Sequence, residues 1–245
     1  MKIVSTIEAR MTSSRLPEKV MMKAAGKPML GHLVERLKLV NSIDHIVIAT
    51  TTNASDDCIE EFASNMGVGI FRGDEDDVMN RVIGAGQSAD ADVIVEITGD
   101  CPIIDPEIIE QTIQVYKHNS VDYVSNNNVR SYPDGMDVQV FALDLLEKSA
   151  KMTDDLLDHE HVTLHIRNNP EIFSRINLFS TPELYQPDLG LTLDEKEDYI
   201  LLKKIIEHFY DIGNPFFSCL DVIRFLKNNQ ELVDINSHVT RKGDT

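Results

Sequence analysis

Residues 8–19 read Glu8-Ala9-Arg10-Met11-Thr12-Ser13-Ser14-Arg15-Leu16-Pro17-Glu18-Lys19. Two arginines, a lysine and three hydroxyls share this short stretch. Guanidinium forks and an ammonium group complement phosphate oxygens, and hydroxyls with loop amides add short-range donors. The composition suits either a triphosphate cradle or a solvated loop, and no GxxxxGK[ST] sequence is present. A second segment, Ile97-Thr98-Gly99-Asp100-Cys101-Pro102, ends an apolar run in Gly-Asp. A carboxylate fixed there can hold Mg²⁺ against phosphate oxygens, and the same residue type also caps turns after strands.

The elements that must position these segments follow from periodicity. Residues 2–8, 45–50, 69–71 and 92–98 read as strands, with 45–50 apolar enough to be buried on both faces. Helices are expected near 29–40, 55–66, 75–88 and 105–117, with Pro28 suited to a helix start and Asp56 and Asp57 favoured by the helix dipole. Residues 9–27 carry no period and read as loop. This alternation predicts an α/β fold with a mostly parallel central sheet flanked by helices. In such sheets ligands bind beyond the carboxyl ends of the strands, which is where 9–19 and 98–102 lie. The second half is less regular, with strand-like pieces near 121–124, 136–141 and 172–179. Helices are expected near 142–151, 157–168, 196–209 and 219–228. The reading is one domain over 1–245, with an acceptor or dimerisation lobe at about 125–180 and a mobile tail over 237–245.

Composition narrows the function classes. The 245 residues are 42% hydrophobic and 26% charged, which excludes a disordered chain and a membrane bundle. No run approaches the ~18 apolar residues of a spanning helix, and the first residues lack a signal-peptide core, so the chain is read as soluble and cytoplasmic. A net charge of −18 argues against partners such as nucleic acid or an anionic membrane. Residues 1–50 nevertheless hold eight Lys or Arg against four acids, while 51–110 hold fifteen acids against two arginines. A basic segment in an acidic protein marks a local anion site. Three scattered cysteines, Cys58, Cys101 and Cys219, read as small apolar residues rather than a disulfide framework or a zinc site.

The run from Glu8 to Lys19 resembles the ARMxSxRLPxK signature of cytidylyltransferases, and most closely the subgroup of the spore-coat polysaccharide biosynthesis protein F type. Other segments agree in order: Gly26-Lys27-Pro28-Met29-Leu30, Phe71-Arg72-Gly73 with Glu75-Asp76-Asp77-Val78, and Ile97 to Pro106. Further on come Tyr132-Pro133-Asp134-Gly135-Met136-Asp137-Val138, Glu160-His161-Val162-Thr163 and Leu191-Thr192-Leu193-Asp194. Together they span about residues 1–200. Relatives include synthetases that activate Kdo and sialic-type acids as CMP-sugars.

The resemblance implies a nucleotide-diphospho-sugar-transferase-like fold, Rossmann-like in outline, and Mg²⁺-dependent transfer of CMP from CTP with release of pyrophosphate. It implies catalytic roles for Arg10, Lys19 and Asp100, and metal binding by Asp100 and Asp194. Nucleotide contacts are implied at Ala9, Arg10, Ser13, Arg15, Lys19, Arg72, Asp77 and Gly99. Asp77 falls in the segment that faces the base in this family, where a carboxylate accepts from the cytosine amine; it equally suits a helix N-terminus. Glu18 departs from the pattern, since a small residue such as Gly is common there.

The acceptor residues are the least determined. Asp137 and Gln139 alternate on an expected strand, so both face one pocket. Glu160 and His161 lie at the start of an expected helix, suited to sugar hydroxyls or to capping. The partners expected are CTP and a small-molecule acceptor, and the family suggests a homodimer. The leading reading is a CTP-dependent transferase acting on a sugar acid. The alternatives are a phosphonate or phosphorylated acceptor, or a non-catalytic nucleotide-binding protein on the same fold.

Overall fold

The structure is a computed structural model and describes residues 1–240. Seven strands form one sheet in the order β5-β4-β1-β6-β8-β7-β9: β1 Ile3–Glu8, β4 His45–Thr51, β5 Gly69–Gly73, β6 Val93–Thr98, β7 Tyr123–Ser125, β8 Gln139–Ala142 and β9 Arg175–Asn177. Neighbouring pairs are parallel except those made by β8, so one reversed strand sits in an otherwise parallel sheet. The expected α/β class is therefore observed.

Helices cover both faces, as the doubly buried strands require. Strand alternation sends Ile3 and Ile7 to one side and Val4 to the other. The first side packs α1 Met29–Leu37, α2 Asp57–Met66, α4 Pro106–His118, α8 Lys196–Asp211 and α9 Cys219–Lys227. The second packs α3 Val78–Ser88, α5 Leu143–Ala150 and α7 Leu164–Asn168. Short helices α6 Leu156–Glu160 and α10 Gln230–Val233 complete the set.

Several expectations change. The stretch 9–27 is not all loop: a 3-10 turn, Lys19–Met21, leads into a small hairpin of β2 Lys23–Ala24 and β3 Lys27–Pro28. The helix expected from 75 starts at Val78, because the Asp77 side chain caps it through Asn80 N. The helix expected over 157–168 is broken in two at His161–Thr163, where Val162 takes φ 47°. A β-branched residue there is strained, and it separates His161 from the helix face of His165. Glu160 accordingly ends a helix instead of beginning one. The region 125–180 contributes β8 and β9 to the main sheet. In the expected tail, Val239 is buried and its N–H donates to the Asn236 carbonyl, while residues 241–245 lie outside the described set.

Candidate active site

The carboxyl ends of β1 and β6 are locked together. Gly99 N–H donates to the Glu8 carbonyl at 2.9 Å. A Cβ at Gly99 would stand 2.6 Å from that oxygen, so only glycine fits. Ala9, beside it, is buried, with its N–H donating to the Ala49 carbonyl. This places the basic loop and Asp100 side by side.

Asp194 is brought to them by a second device. Gly135 has φ 96°, and a Cβ there would lie 2.6 Å from the Leu191 backbone. That close approach lets Leu191 N–H donate to the Asp134 carbonyl at 2.7 Å and Leu193 N–H to the Asp100 carbonyl at 2.8 Å. The chain from 191 to 194 is thus pinned against residues 100 and 134. Lys19 Nζ lies 3.1 Å from Asp100 Oδ2 and 3.0 Å from Asp194 Oδ1. Arg15 reaches Asp194 at 2.8 Å. Burial alone presses the Lys19 ammonium towards neutrality, but Asp100 and Asp194 outweigh it and raise its pKa. Burial opposes ionisation of Asp100 as well, and Lys19 with the Thr98 hydroxyl reverse this and lower it. Lys19 and Asp100 are therefore both held in their charged forms.

Arg10 lies slightly apart, paired with Glu75 at 3.1 Å. Glu75 also accepts from Thr12 Oγ1 and from Asn53 Nδ2 at 2.6 Å. A carboxylate therefore sits against the basic loop, in the manner of an anionic ligand. Sequence reasoning had not chosen Glu75 as a site residue; its signal was an acid two residues past the Phe71-Arg72-Gly73 strand. Ser13 is half-buried in the same loop.

Other expected residues are placed elsewhere. Arg72 gives its guanidinium to the carbonyls of Thr51 and Asn53 and to Asp57 and Glu60. It ties β5 to α2 and does not join the Lys19 cluster. Asp77 caps α3, and its Oδ1 also meets His159 Nδ1 at 2.8 Å. Burial raises the Asp77 carboxyl, but the Asn80 and His159 contacts lower it overall. The structure thus shows the capping role. Gln139 begins β8 with its amide fully engaged: Oε1 accepts from Tyr123 Oη and Thr163 Oγ1, and Nε2 donates to Glu96. Asp137 precedes the strand, and burial followed by the neighbouring Asp134 pushes its carboxyl up to about 7. Glu160 and His161 are exposed at the break between α6 and α7. Cys101 and Cys219 are buried, and burial raises both thiols, Cys219 to about 12, as apolar residues rather than nucleophiles.

Among the described residues no three His, Cys, Asp or Glu side chains group around a metal position. Asp100 and Asp194 nevertheless converge on one point. Two hard carboxylates match Mg²⁺, which commonly takes one or two protein carboxylates and completes its shell with water and phosphate oxygens.

A nucleotide-sugar-type α/β sheet, with basic loop and paired aspartates at its carboxyl end, defines a nucleotidyltransferase class. Residues 4–233 match the cytidylyltransferase family, and the chain belongs to it. It is 37% identical over 243 residues to an uncharacterized protein of Methanocaldococcus jannaschii, covering 99% of this chain and 98% of that one. It is 33% identical to the spore coat polysaccharide biosynthesis protein SpsF of Bacillus subtilis, over 94% and 95% of the two chains. A 3-deoxy-manno-octulosonate cytidylyltransferase of Trichlorobacter lovleyi is 33% identical over 49% of this chain and 46% of its own length. Among solved structures, a cytidylyltransferase from Leptospira borgpetersenii superposes with a TM-score of 0.89 at 32% identity, covering 98% and 99%. No helix among the described residues is long and apolar enough to cross a membrane.

Proposed function

We propose that the chain transfers CMP from CTP to a hydroxyl of a sugar acid, for polysaccharide or glycoconjugate synthesis, as a cytoplasmic homodimer. The acceptor oxygen forms a bond to the α-phosphorus. The bond to the bridging oxygen breaks, pyrophosphate leaves with its electron pair, and the hydroxyl proton passes to solvent. The observation that supports this most is the convergence of Lys19, Arg15, Asp100 and Asp194 from three distant segments on one point. Arg10, Arg15 and Lys19 offset charge on the β- and γ-phosphates, in a site where fixed charges need no rearrangement during reaction. Asp100 and Asp194 hold Mg²⁺, which when bound supplies Lewis-acid stabilisation of the phosphoryl oxygens. Phosphoryl transfer of this kind asks for positioning and charge rather than a protein nucleophile, in keeping with the buried thiols. The relatives' names support a sugar-acid acceptor.

Thermal stabilisation by CTP, UTP, GTP and ATP, each with and without Mg²⁺, tests the nucleotide half without knowledge of the acceptor. A ligand at about 100 times its Kd adds roughly 2.7 kcal/mol, or about 5–10 °C in Tm for a chain of this size. Mg²⁺-dependent stabilisation confined to CTP is expected. Equal response to all four nucleotides, or none to any, overturns the reading.

A further inference from the structure

Asp56 stands at the N-cap of α2, where an aspartate ordinarily accepts from the N–H groups of the first helical turn. Its side chain makes no such bond. It turns instead towards the basic loop. Oδ1 accepts from Met11 N–H at 2.9 Å. Oδ2 accepts from Thr50 Oγ1 at 2.9 Å, from Thr51 Oγ1 at 2.6 Å and from Thr51 N–H at 3.1 Å. Asp56, Thr50 and Thr51 are all fully buried. None of these donors is a cation. A buried carboxylate without a cation is a costly way to close a turn, because the charge loses its hydration. Burial does oppose ionisation of Asp56, but the Thr51 hydroxyl, the Met11 N–H and the Thr50 hydroxyl reverse this and lower its pKa.

What these bonds fix is the loop. Met11 is held at both ends, since its carbonyl accepts from Glu18 N–H at 2.9 Å. Glu18 directly precedes Lys19, whose ammonium lies between Asp100 and Asp194. Arg10 directly precedes Met11. A second route leaves Asp56 through Thr51. Thr51 Oγ1 accepts from Asn53 N–H at 3.2 Å, and Asn53 Nδ2 donates to Glu75 at 2.6 Å. Glu75 in turn holds Arg10 Nη1 at 3.1 Å and accepts from Thr12 Oγ1. Arg72 steadies this bridge by donating to the Thr51 and Asn53 carbonyls. Both routes thus begin at one carboxylate and end on three consecutive residues, Arg10, Met11 and Thr12.

Long basic side chains serve a polyphosphate best when their backbone is set before the ligand arrives. A misplacement of about 1 Å can cost ~100-fold in rate. We propose that Asp56 is a positioning residue of the basic loop, whose carboxylate fixes the backbone that presents Arg10 and Lys19 to a polyphosphate. Asp56 itself touches no substrate. The inference rests on the reading that this loop takes the triphosphate, and it names the group that holds the loop ready.

The test is calorimetric titration of the full chain with CTP and with CMP, both in the presence of Mg²⁺. Wild type is compared with Asp56→Ala, Asp56→Asn and Asn53→Ala, each first shown to melt cooperatively. Asp56→Ala severs both routes and should raise the Kd for CTP at least tenfold. The Kd for CMP, which lacks the β- and γ-phosphates, should stay within threefold. Asp56→Asn keeps an amide oxygen for Met11 N–H but sets its NH₂ against the Thr51 donors, and its CTP Kd should rise about fivefold. Asn53→Ala severs only the route through Glu75 and should raise the CTP Kd about threefold. A residue that merely supports the fold would weaken CTP and CMP alike, or lower Tm and leave both unchanged. Either result overturns the proposal. If Asp56→Ala does not fold, Asp56→Asn decides, and a CTP Kd within twofold of wild type overturns the proposal. Should wild type bind CTP no more tightly than CMP, the triphosphate reading of the loop fails and this inference with it. Tight CTP binding that Asp56→Ala leaves intact removes only the inference.

Discussion

The basic loop and the buried face of the sheet handle charge in opposite ways. On the basic-loop side the converging acids have cations or donors: Asp100 and Asp194 meet Lys19 and Arg15, and Glu75 meets Arg10, Thr12 and Asn53. Asp100 and Glu75 are held below their ordinary pKa values. Along the buried sheet face Glu8, Glu96 and the adjoining Asp137 are raised, and the Glu8 carboxyl oxygens have no hydrogen-bond partner. Paired charge is ready to exchange one anion for another, which suits a triphosphate. Unpaired buried acid is instead pressed towards its neutral form, which donates a hydrogen bond as well as accepting one.

The sharpest way to break this contrast is Asp100→Asn. It removes one of the two carboxylates around Lys19 and one of the two ligands proposed for Mg²⁺. Turnover measured by pyrophosphate release is expected to fall at least ~100-fold, the scale for losing a major electrostatic stabiliser. Near-normal turnover would refute the assignment of the metal pair.

The loop and the sheet face should also differ in the sign of their pH dependence. Asp100 has a lowered folded pKa, so its stabilising contribution is present above its ordinary value of 3.8 and is lost as pH falls through the lowered value. Glu96 is lifted from 4.5 to about 8, so between those values the folded state binds more protons than the unfolded one. Stability from Glu96 is therefore full below about 4.5 and declines as pH rises through 8. Each pKa unit corresponds to about 1.4 kcal/mol. Glu96→Gln keeps the acceptor for Gln139 and should flatten the alkaline limb. Its Tm relative to wild type is expected to be at least about 5 °C higher at pH 9 than at pH 5. An equal difference at both pH values would show that Glu96 is not held neutral.

How much of this could be read beforehand divides along the same line. The basic loop, Asp100 and Asp194 were legible because their chemistry is carried by residue types in short ordered runs. The mostly parallel sense of the sheet followed from the alternation of strands and helices, while the order of its strands came only with the fold. The buried carboxyl of Glu8 was hidden, because a polar residue in a strand declares its face only when its cross-strand neighbours are known. The same holds for Gln139, expected to line an open pocket and found hydrogen-bonded to Tyr123, Thr163 and Glu96. Arg72 was misplaced for a related reason. The resemblance assigned it to the nucleotide, and only the tertiary fold shows it clamping Thr51, Asn53, Asp57 and Glu60. The break at Val162 was not read from the sequence, because nothing in 157–168 is a Gly or Pro that would punctuate a helix.

Asp77, at the start of α3, gives a smaller test. Its carboxylate caps α3 and holds His159, whose pKa rises chiefly through that contact. Asp77→Ala should cost about 1 kcal/mol, the usual value of an N-cap, seen as a Tm lower by about 2–4 °C. The ratio of kcat/KM for CTP over UTP should be unchanged. A collapse of that ratio would return Asp77 to the base.

The smallest effect concerns the frame of the basic loop. Glu18 has φ 61° and ψ 11°, the left-handed region that a side chain resists and glycine accepts. Its side chain makes no capping bond to the 3-10 turn that carries Lys19. Its backbone does the work, donating to the Met11 carbonyl at 2.9 Å and accepting from Met21 N–H. This conformation explains why the family commonly places a small residue here, where the chain carries an acid. Glu18→Gly removes the strain but loosens the unfolded chain, so the net gain is expected to be modest, about 0.5–1 kcal/mol and roughly 2–3 °C in Tm. The KM for CTP should fall slightly or stay level, because a negative charge leaves the edge of the triphosphate loop while Lys19 keeps its place. Destabilisation by Glu18→Gly would mean that the Glu18 side chain, rather than its backbone, sets the position of Lys19 between Asp100 and Asp194.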